Sequence, residues 1–515
     1  MIKKACDNIQ KVYDALEKLD KWKEGLMIWS FFTVIVFGVL ILTGTITSGF
    51  HLVDDWEIAK YVDVIAKKGF WECLMREVSV DLQTRFRPLY YINRVISAKI
   101  FGINLTAISI VKAIEIILAT GFLYYIARHL RSNVVYSVLF ALTVMVGYQS
   151  AVWWKLGPQE SFGIMVFSVG FWLLLKWLET GKKYQAFFSL AAFFLMSIYK
   201  ESFIMLLPFI MLYIVYDRMK DQAVTIPNLW NVVRENFLYL CVLAVILAVE
   251  LILLVFVVGT EDYYTYFEME NTITLSDYHT IWCDAFHADL KWYVRFGTLF
   301  VMIILTYWEQ LKKYRWEMLL TLSVIVPQVA LYNTSAIAER YIIPSIFGFS
   351  FFFVIVCCSR KLLSGKRRVV YMLGLLLMLA ANGRAMLIEA DYFAYRGNSI
   401  KTMLETTYEY IQGDEKLTVM SCLGPNTEGN LTMEYWMRLH GYNDMYYWNE
   451  EDLTIYKGID EYVKRRAHQD NAFEDMDIII MYNHEDRHWC YEPSLDLSDF
   501  AELKCGTLTM YTRNQ

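Results

Sequence analysis

Proline and cysteine are both scarce in this chain, with eight prolines and nine cysteines in 515 residues. No two cysteines form a CxxC pair, which argues against a metal ribbon and a disulfide framework. Internal repeats and low-complexity segments are also missing. No basic face is left over once membrane topology has been accounted for, so a nucleic-acid partner is not expected. Each proline gains weight from its rarity, because a membrane-crossing helix accepts a broken backbone only where protein or a water-filled cavity covers it.

Apolar surface, by contrast, is abundant: hydrophobic residues make up 56% of the chain and aromatics 16%. One soluble core could not bury so much, and a polytopic α-helical membrane protein is the economical solution. A spanning helix needs roughly 20 largely apolar residues. Stretches of about that length begin near Leu26, Thr106, Val134, Ser161, Tyr184, Phe203, Asn236, Phe296, Trp316, Tyr341 and Val369, about eleven in all. Lys200 and Glu201 interrupt the region 184–216.

Basic residues in short loops mark the cytoplasmic side. Lys3, Lys4, Lys11, Lys18, Lys21 and Lys23 precede the first span. By alternation the same face receives Arg128 with Arg131, Lys182 with Lys183, Arg218 with Lys220, Lys312, Lys313 and Arg315, and the run from Arg360 to Arg368. The N-terminus is then cytoplasmic and residues from about 389 onward lie outside. Residues 1–25 read either as an amphipathic helix on the inner leaflet or as an ordinary juxtamembrane helix. The long charged stretch before a full-length first apolar run predicts no cleavable signal peptide. Three parts follow: the N-terminal helix at 1–25, a membrane region at 26–388 with a large outer loop at 50–105, and an outer domain at 389–515. Strand-like runs at 417–420, 477–482 and 507–511, with helical potential at 459–468, give that outer domain a small α/β form.

Pro88, Pro158, Pro327 and Pro344 all fall near outer span ends, while Pro208 reads as mid-span. Irregular backbone therefore gathers outside, where a cavity is expected. The acidic segment HLVDDWEIAKY at 51–61 stands at the same boundary. Asp54 and Asp55 are candidates for a proton-accepting pair, because two close carboxyls split their pKa values and let one act as base. An acidic helix cap is the plainer alternative. Glu57 adds a third acid. In QTRFRPLYYINR, Arg85 and Arg87 suit a phosphate through their planar forks, or lipid headgroups, and Tyr90 and Tyr91 could stack on a sugar. Charged pairs recur at Lys200 with Glu201 and at Glu339 with Arg340, costly placements that mark function unless the neighbours pair with each other. Glu115 and Glu250 lie deeper. Lys112, one turn from Glu115, would neutralise it, and Glu250 is expected to face the bundle interior. The segment AVWWKLGPQESFG offers Gln159 and Glu160 to a sugar, with Trp153 and Trp154 reading first as interfacial anchors. Cys283, His287 and Asp289 are spaced too loosely for a metal site, and none is assigned. Cys490 and Cys505 could bridge, which spacing alone does not decide. The sequons at Asn104, Asn333 and Asn430 have meaning only in a eukaryotic host.

A first span leading into an acidic doublet, then IAKYVDVIAKKGFW and RFRPLYYINRVISAKIFGIN, resembles the first outer loop of GT-C-fold glycosyltransferases. Bacterial protein O-mannosyltransferases and the lipid A aminoarabinose transferase are among them. The resemblance covers about residues 26–130. It implies inverting transfer of a sugar from a polyprenyl-phosphate carrier to an outer cell-envelope acceptor, whether glycan, lipid or protein, at the plasma membrane. On that likeness Asp54 matches the base, Asp55 its acidic neighbour and Arg87 the basic residue of the basic-Pro-Leu segment. Lys200 and Arg340 match outer phosphate-contacting cations. This chain has Asp-Asp where the family usually has Asp-Glu, and Arg-Pro where it has Pro-Pro. No cofactor beyond the lipid-linked donor is implied, and a divalent cation is left open. A transporter or lipid-linked-sugar flippase is the rival reading, weakened by the missing repeat and the long first outer loop.

Overall fold

The computed structural model describes residues 15–220, 222–254, 291–331, 339–360, 362–412, 417–423, 427–449, 453–464, 475–487 and 495–514. Most of the N-terminal segment, the Cys283/His287/Asp289 cluster and Cys490 lie outside these residues.

The described chain is mainly helical. In order, α1 is Lys21–Leu42, α2 Trp56–Lys68, α3 Phe70–Thr84, α4 Pro88–Phe101, α5 Leu105–His129, α6 Val134–Met145, α7 Glu160–Thr180 and α8 Lys183–Ser197. Then follow α9 Leu207–Met219, α10 Ile226–Glu235, α11 Phe237–Ile252, α12 Lys291–Leu311, α13 Arg315–Leu331, α14 Ile343–Ser350 and α15 Gly365–Ile411. A helix occupies each of the eleven apolar stretches read from the sequence. By length and composition, six candidate spans stand out: Lys21–Leu42, Leu105–His129, Glu160–Thr180, Glu201–Met219, Arg340–Ser359 and Gly365–Ile411. The pair α10 and α11, bent by 81°, could count as a seventh. Helix α6 has only 12 residues, about 18 Å of rise against a hydrocarbon core of about 30 Å.

Local sequence explains the breaks. Pro88 and Pro344 sit at helix starts, where the missing N–H costs nothing. Pro208, read as mid-span, opens α9 in the same way, just after Lys200 stands extended between two helices. Pro327 lies inside α13. The first span starts at Lys21 rather than at Leu26, and it carries Glu24 inside, held by the Tyr124 hydroxyl at 2.5 Å and Arg128 Nε at 2.8 Å.

The membrane core is aromatic. Phe347 of α14 meets Phe167 of α7 with ring centres 4.9 Å apart and Phe209 of α9 at 5.4 Å. These edge-on contacts lock three spans together. Helix α15 has 47 residues, about 70 Å of rise, more than twice what a bilayer core needs. Val369, Val370, Leu373 and Leu377 on its first half are exposed, whereas Tyr392, Arg396, Ile400, Met403 and Leu404 further along are buried. It therefore passes from the apolar helical region into the C-terminal sheet domain without a break.

That domain carries a six-stranded mixed sheet in the order β3-β2-β1-β4-β6-β5. The strands are β1 Val419–Cys422, β2 Met445–Asn449, β3 Thr454–Lys457, β4 Ile478–Tyr482, β5 Phe500–Cys505 and β6 Leu508–Arg513, with α16 Thr427–Leu439 after β1 and α17 Ile459–Lys464 after β3. β1 runs parallel to β2 and β4, and the remaining pairs are antiparallel. All three strand-like runs read from the sequence are strands. Arg396 of α15 joins the sheet's end through Asp486, Nε to Oδ2 2.9 Å, with both side chains buried.

One residue farther on, α15 lies almost against the loop 43–55. A Cβ on Gly397 would stand 2.7 Å from Ser48 O and 3.0 Å from Phe50 O. Gly397→Ala is therefore expected to push helix and loop apart and destabilise the protein by about 1–3 kcal/mol. A lower thermal midpoint of the detergent-solubilised protein would show it, and an unchanged midpoint would refute the contact.

Candidate functional site

Six chain segments meet around the acidic doublet: the loop 43–55, the start of α4, the turn 155–160, the α8–α9 break, the 3-10 turn Glu339–Ile342 and the first turn of α16. The two aspartates have different jobs. Asp55 is fully buried, and its carboxylate ties up its own loop, accepting the His51 N–H at 2.5 Å and the Val53 N–H at 3.2 Å. Burial pushes its pKa up to about 6 despite those two donors. Asp54 has φ 57°, a left-handed backbone that Asp tolerates better than most residues. This turns its side chain out of the loop, with 38% of it accessible, and Arg340 Nη2 lies 3.4 Å from Oδ2. Burial works to raise the Asp54 pKa, but Arg340, Arg94, Lys200 and Arg87, in falling order, outweigh it and hold the carboxyl below its ordinary value. The result is a partly exposed carboxylate with Arg340 against it and three more cations close enough to lower its pKa.

The cations are themselves held in a network. Lys200 contacts Glu160, and Arg340 Nε lies 3.8 Å from the same carboxylate. Tyr341 packs beneath both, 4.1 Å from Lys200 Nζ and 5.0 Å from the Arg340 guanidinium. The neighbours in sequence therefore do not pair with each other: Lys200 goes to Glu160, while Glu201 lies 3.9 Å from Arg87 Nε. The side chain of Glu339 lies outside what is described.

Arg87 is more tightly occupied. It donates to Asp81 from its main chain at 2.7 Å, from Nε at 3.1 Å and from Nη2 at 3.0 Å, and to the Tyr91 hydroxyl at 3.2 Å. Two guanidiniums lie against the Tyr90 ring, Arg87 at 4.8 Å and Arg94 at 5.2 Å. It is buried, so the expected sugar-stacking face is taken by guanidinium. Arg85 ends α3 with its N–H on Asp81 O at 2.6 Å. Glu57 contacts Arg94, whose Nη2 also reaches Gly157 O at 2.8 Å. Gln159 accepts from Asn93 at 3.2 Å and Tyr199 at 3.1 Å, the latter a bond between the sequence neighbours of Glu160 and Lys200.

The turn 155–160 owes its shape to Lys112. Its Nζ reaches the carbonyls of Lys155 at 2.5 Å, Leu156 at 3.1 Å and Pro158, three acceptors for an ammonium's three donors. Lys112 is also the charge that acts on Glu115, as expected, while the hydrogen bond to Glu115 comes from Ser161 at 2.6 Å. The interfacial-anchor reading of Trp153 and Trp154 is corrected. Both are buried and bonded inward, to Met145 O at 3.2 Å and Ser150 Oγ at 2.9 Å. Glu250 faces the interior and accepts from Ser197 at 3.2 Å. The turn fits so closely that a Cβ on Gly157 would sit 1.5 Å from Val53 O. Lys112→Met would strand those carbonyls, at about 1–3 kcal/mol for an unsatisfied buried group, and is expected to lower the thermal midpoint. Normal melting would refute the clamp.

Sequence reasoning missed three residues here. Arg94 stands seven positions after Arg87, two helical turns on, so its presence on the same face could have been noticed. His51 is fully buried: the Leu156 N–H donates to Nδ1 at 3.2 Å, so Nε2 carries the proton toward Ser48 Oγ at 2.7 Å. Burial and then Lys155, Lys112 and Arg396 lower its pKa to about 3, so it is a neutral strut rather than a base. Glu428 of α16 accepts the Asp54 N–H at 3.0 Å, and no local pattern announces it from 374 residues away. Among the described residues no three His, Cys, Asp or Glu side chains gather as a metal site.

No family model and no curated protein sequence matches the chain. Among solved structures it is similar to the Archaeoglobus fulgidus oligosaccharyltransferase tethered by a disulfide bond to an acceptor peptide containing the NVT sequon. The TM-score is 0.45 at 12% identity, covering 90% of this chain and 69% of that chain.

Proposed function

We propose that this protein is an integral-membrane inverting glycosyltransferase of GT-C type. It moves a sugar from a polyprenyl-phosphate donor to an extracytoplasmic acceptor of the cell envelope, with the plasma membrane as its location. The carrying observation is the partly exposed Asp54 with Arg340 3.4 Å from it, its pKa held down by Arg340, Arg94, Lys200 and Arg87. That combination pairs a proton acceptor with charge suited to a phosphate. The sequence likeness of the first outer loop supports the same reading.

In the proposed step Asp54 takes the acceptor hydroxyl's proton as that oxygen bonds to the anomeric carbon. The bond from that carbon to the phosphate oxygen breaks, and its electron pair leaves with polyprenyl phosphate. Displacement from the opposite face inverts the anomeric centre. Arg340, with Lys200 beside it, meets the charge growing on the phosphate. Arg94 and Arg87 add field from behind, each held by its own carboxylate. No step is routed through a metal.

Purified protein would be given labelled polyprenyl-phosphate sugars, with nucleotide sugars as control. Asp54-dependent release of polyprenyl phosphate is expected, even with water as acceptor. Failure with every lipid donor would overturn the proposal and favour a transporter or lipid-linked-sugar flippase.

A further inference from the structure

The first turn of α16 is where the outer domain touches the acidic loop. Glu428 Oε2 accepts the main-chain N–H of Asp54 at 3.0 Å. That amide belongs to a residue with φ 57°, a conformation that persists only where surroundings hold it. Two of the holds come from inside the membrane region. Asp55 collects the N–H groups of His51 and Val53, and Gly157 abuts Val53 O. Glu428 supplies the hold on Asp54 itself, and it comes from a different domain.

The docking of α16 on α2 is specific. Trp56, two residues after Asp54, stacks on Tyr435 with ring centres 5.9 Å apart and planes 16° from parallel. Gly429 fits with so little room that a Cβ would meet Leu423 at 2.8 Å and the Tyr482 hydroxyl at 2.9 Å. The helix is therefore set by the sheet behind it, and the sheet is bound to α15 through Arg396 and Asp486. A continuous chain of contacts runs from the outer domain to the Asp54 main chain.

Asp54 and Asp55 face Glu428 from the loop and Arg340 from the 3-10 turn. On α2, Glu57 is engaged by Arg94. Farther along α16, Lys401 and Glu405 of α15 lie beside Trp436 and His440. Burial, then Asp54 and Asp55, push the Glu428 carboxyl up to about 8. At neutral pH it mostly keeps its proton and accepts the Asp54 N–H without adding a negative charge beside the base.

We infer that Glu428 is a positioning residue contributed by the outer domain, fixing the Asp54 main chain so that its carboxylate is held beside Arg340. This rests on the reading of Asp54 as the base. It makes transfer depend on the outer domain being docked.

The test compares full-length wild type with Glu428→Ala and Glu428→Gln in detergent, by amide hydrogen exchange over residues 52–57 and by steady-state release from a polyprenyl-phosphate sugar. Glutamine keeps an acceptor oxygen and cannot ionise, whereas alanine loses the acceptor oxygen as well. Alanine is expected to exchange about tenfold faster at Asp54. It should lower kcat about 10- to 100-fold with the donor's KM unchanged. Glutamine should exchange as wild type and keep kcat. Wild-type exchange or wild-type kcat in the alanine variant would overturn the inference and leave the glycosyltransferase reading standing. If wild type releases nothing from any donor, that reading fails, while the exchange comparison still decides whether Glu428 holds Asp54.

Discussion

Asp54→Asn is expected to lower transfer by about 10²–10⁴-fold, the usual contribution of a positioned general base, while the protein melts as wild type does. Asparagine tolerates the left-handed backbone that position 54 adopts, and the main-chain N–H to Glu428 is untouched by the change. What is lost is the ionised oxygen beside Arg340. Asp55→Asn should behave in the opposite way. The Asp55 oxygens accept two separate backbone N–H groups, and an amide offers one acceptor and sets an NH₂ against the other donor. It leaves a buried N–H unsatisfied, at about 1–3 kcal/mol, and a lower thermal midpoint is the expected outcome. Transfer at the wild-type rate by the Asp54 variant would remove the base from the mechanism. Equal melting of the two variants would remove the division of labour.

That division was beyond the reach of the sequence, although the doublet itself was not. Two adjacent carboxylates after a span read as a pair, but which one turns inward depends on φ at Asp54 and on where the His51 and Val53 amides point. Both are fixed by packing against the turn 155–160 and against Gly397 of α15, regions far away in the chain. The helices and the three strand runs were legible because apolar runs and β-rich stretches are local signals. Lys200 and Arg340 were legible because charge at a span end is costly and therefore conspicuous. Their partners were not: Glu160, shared by both, could be matched to them only once three span ends had been brought together. Arg87 shows the converse. Its motif stands out in the sequence, yet Asp81 six positions earlier occupies its fork, leaving Arg340 as the cation nearest the Asp54 carboxylate.

Arg340→Met should therefore change both the rate and its pH dependence. The rate falls because a charge aimed at the departing phosphate is gone. Removing one such preorganised donor typically costs about 10²–10³-fold in kcat. The pH dependence changes because Arg340 is the first of the cations that hold the Asp54 pKa down against burial. A depressed pKa keeps the base ionised, and catalysis competent, until the pH falls below the ordinary carboxylate value of about 3.9. Without Arg340 the burial effect gains ground, the pKa rises, and the acid limb of kcat/KM moves to higher pH. Arg340→Lys separates the two effects. It restores a charge near Asp54 and should return the acid limb toward wild type, but it lacks the planar fork that grips phosphate oxygens and should recover only part of kcat. An acid limb that stays in place in Arg340→Met, measured beside wild type on the same donor, would show that Arg340 does not set the ionisation of the base. A lysine variant with full kcat would show that charge alone, without the fork, serves the leaving group.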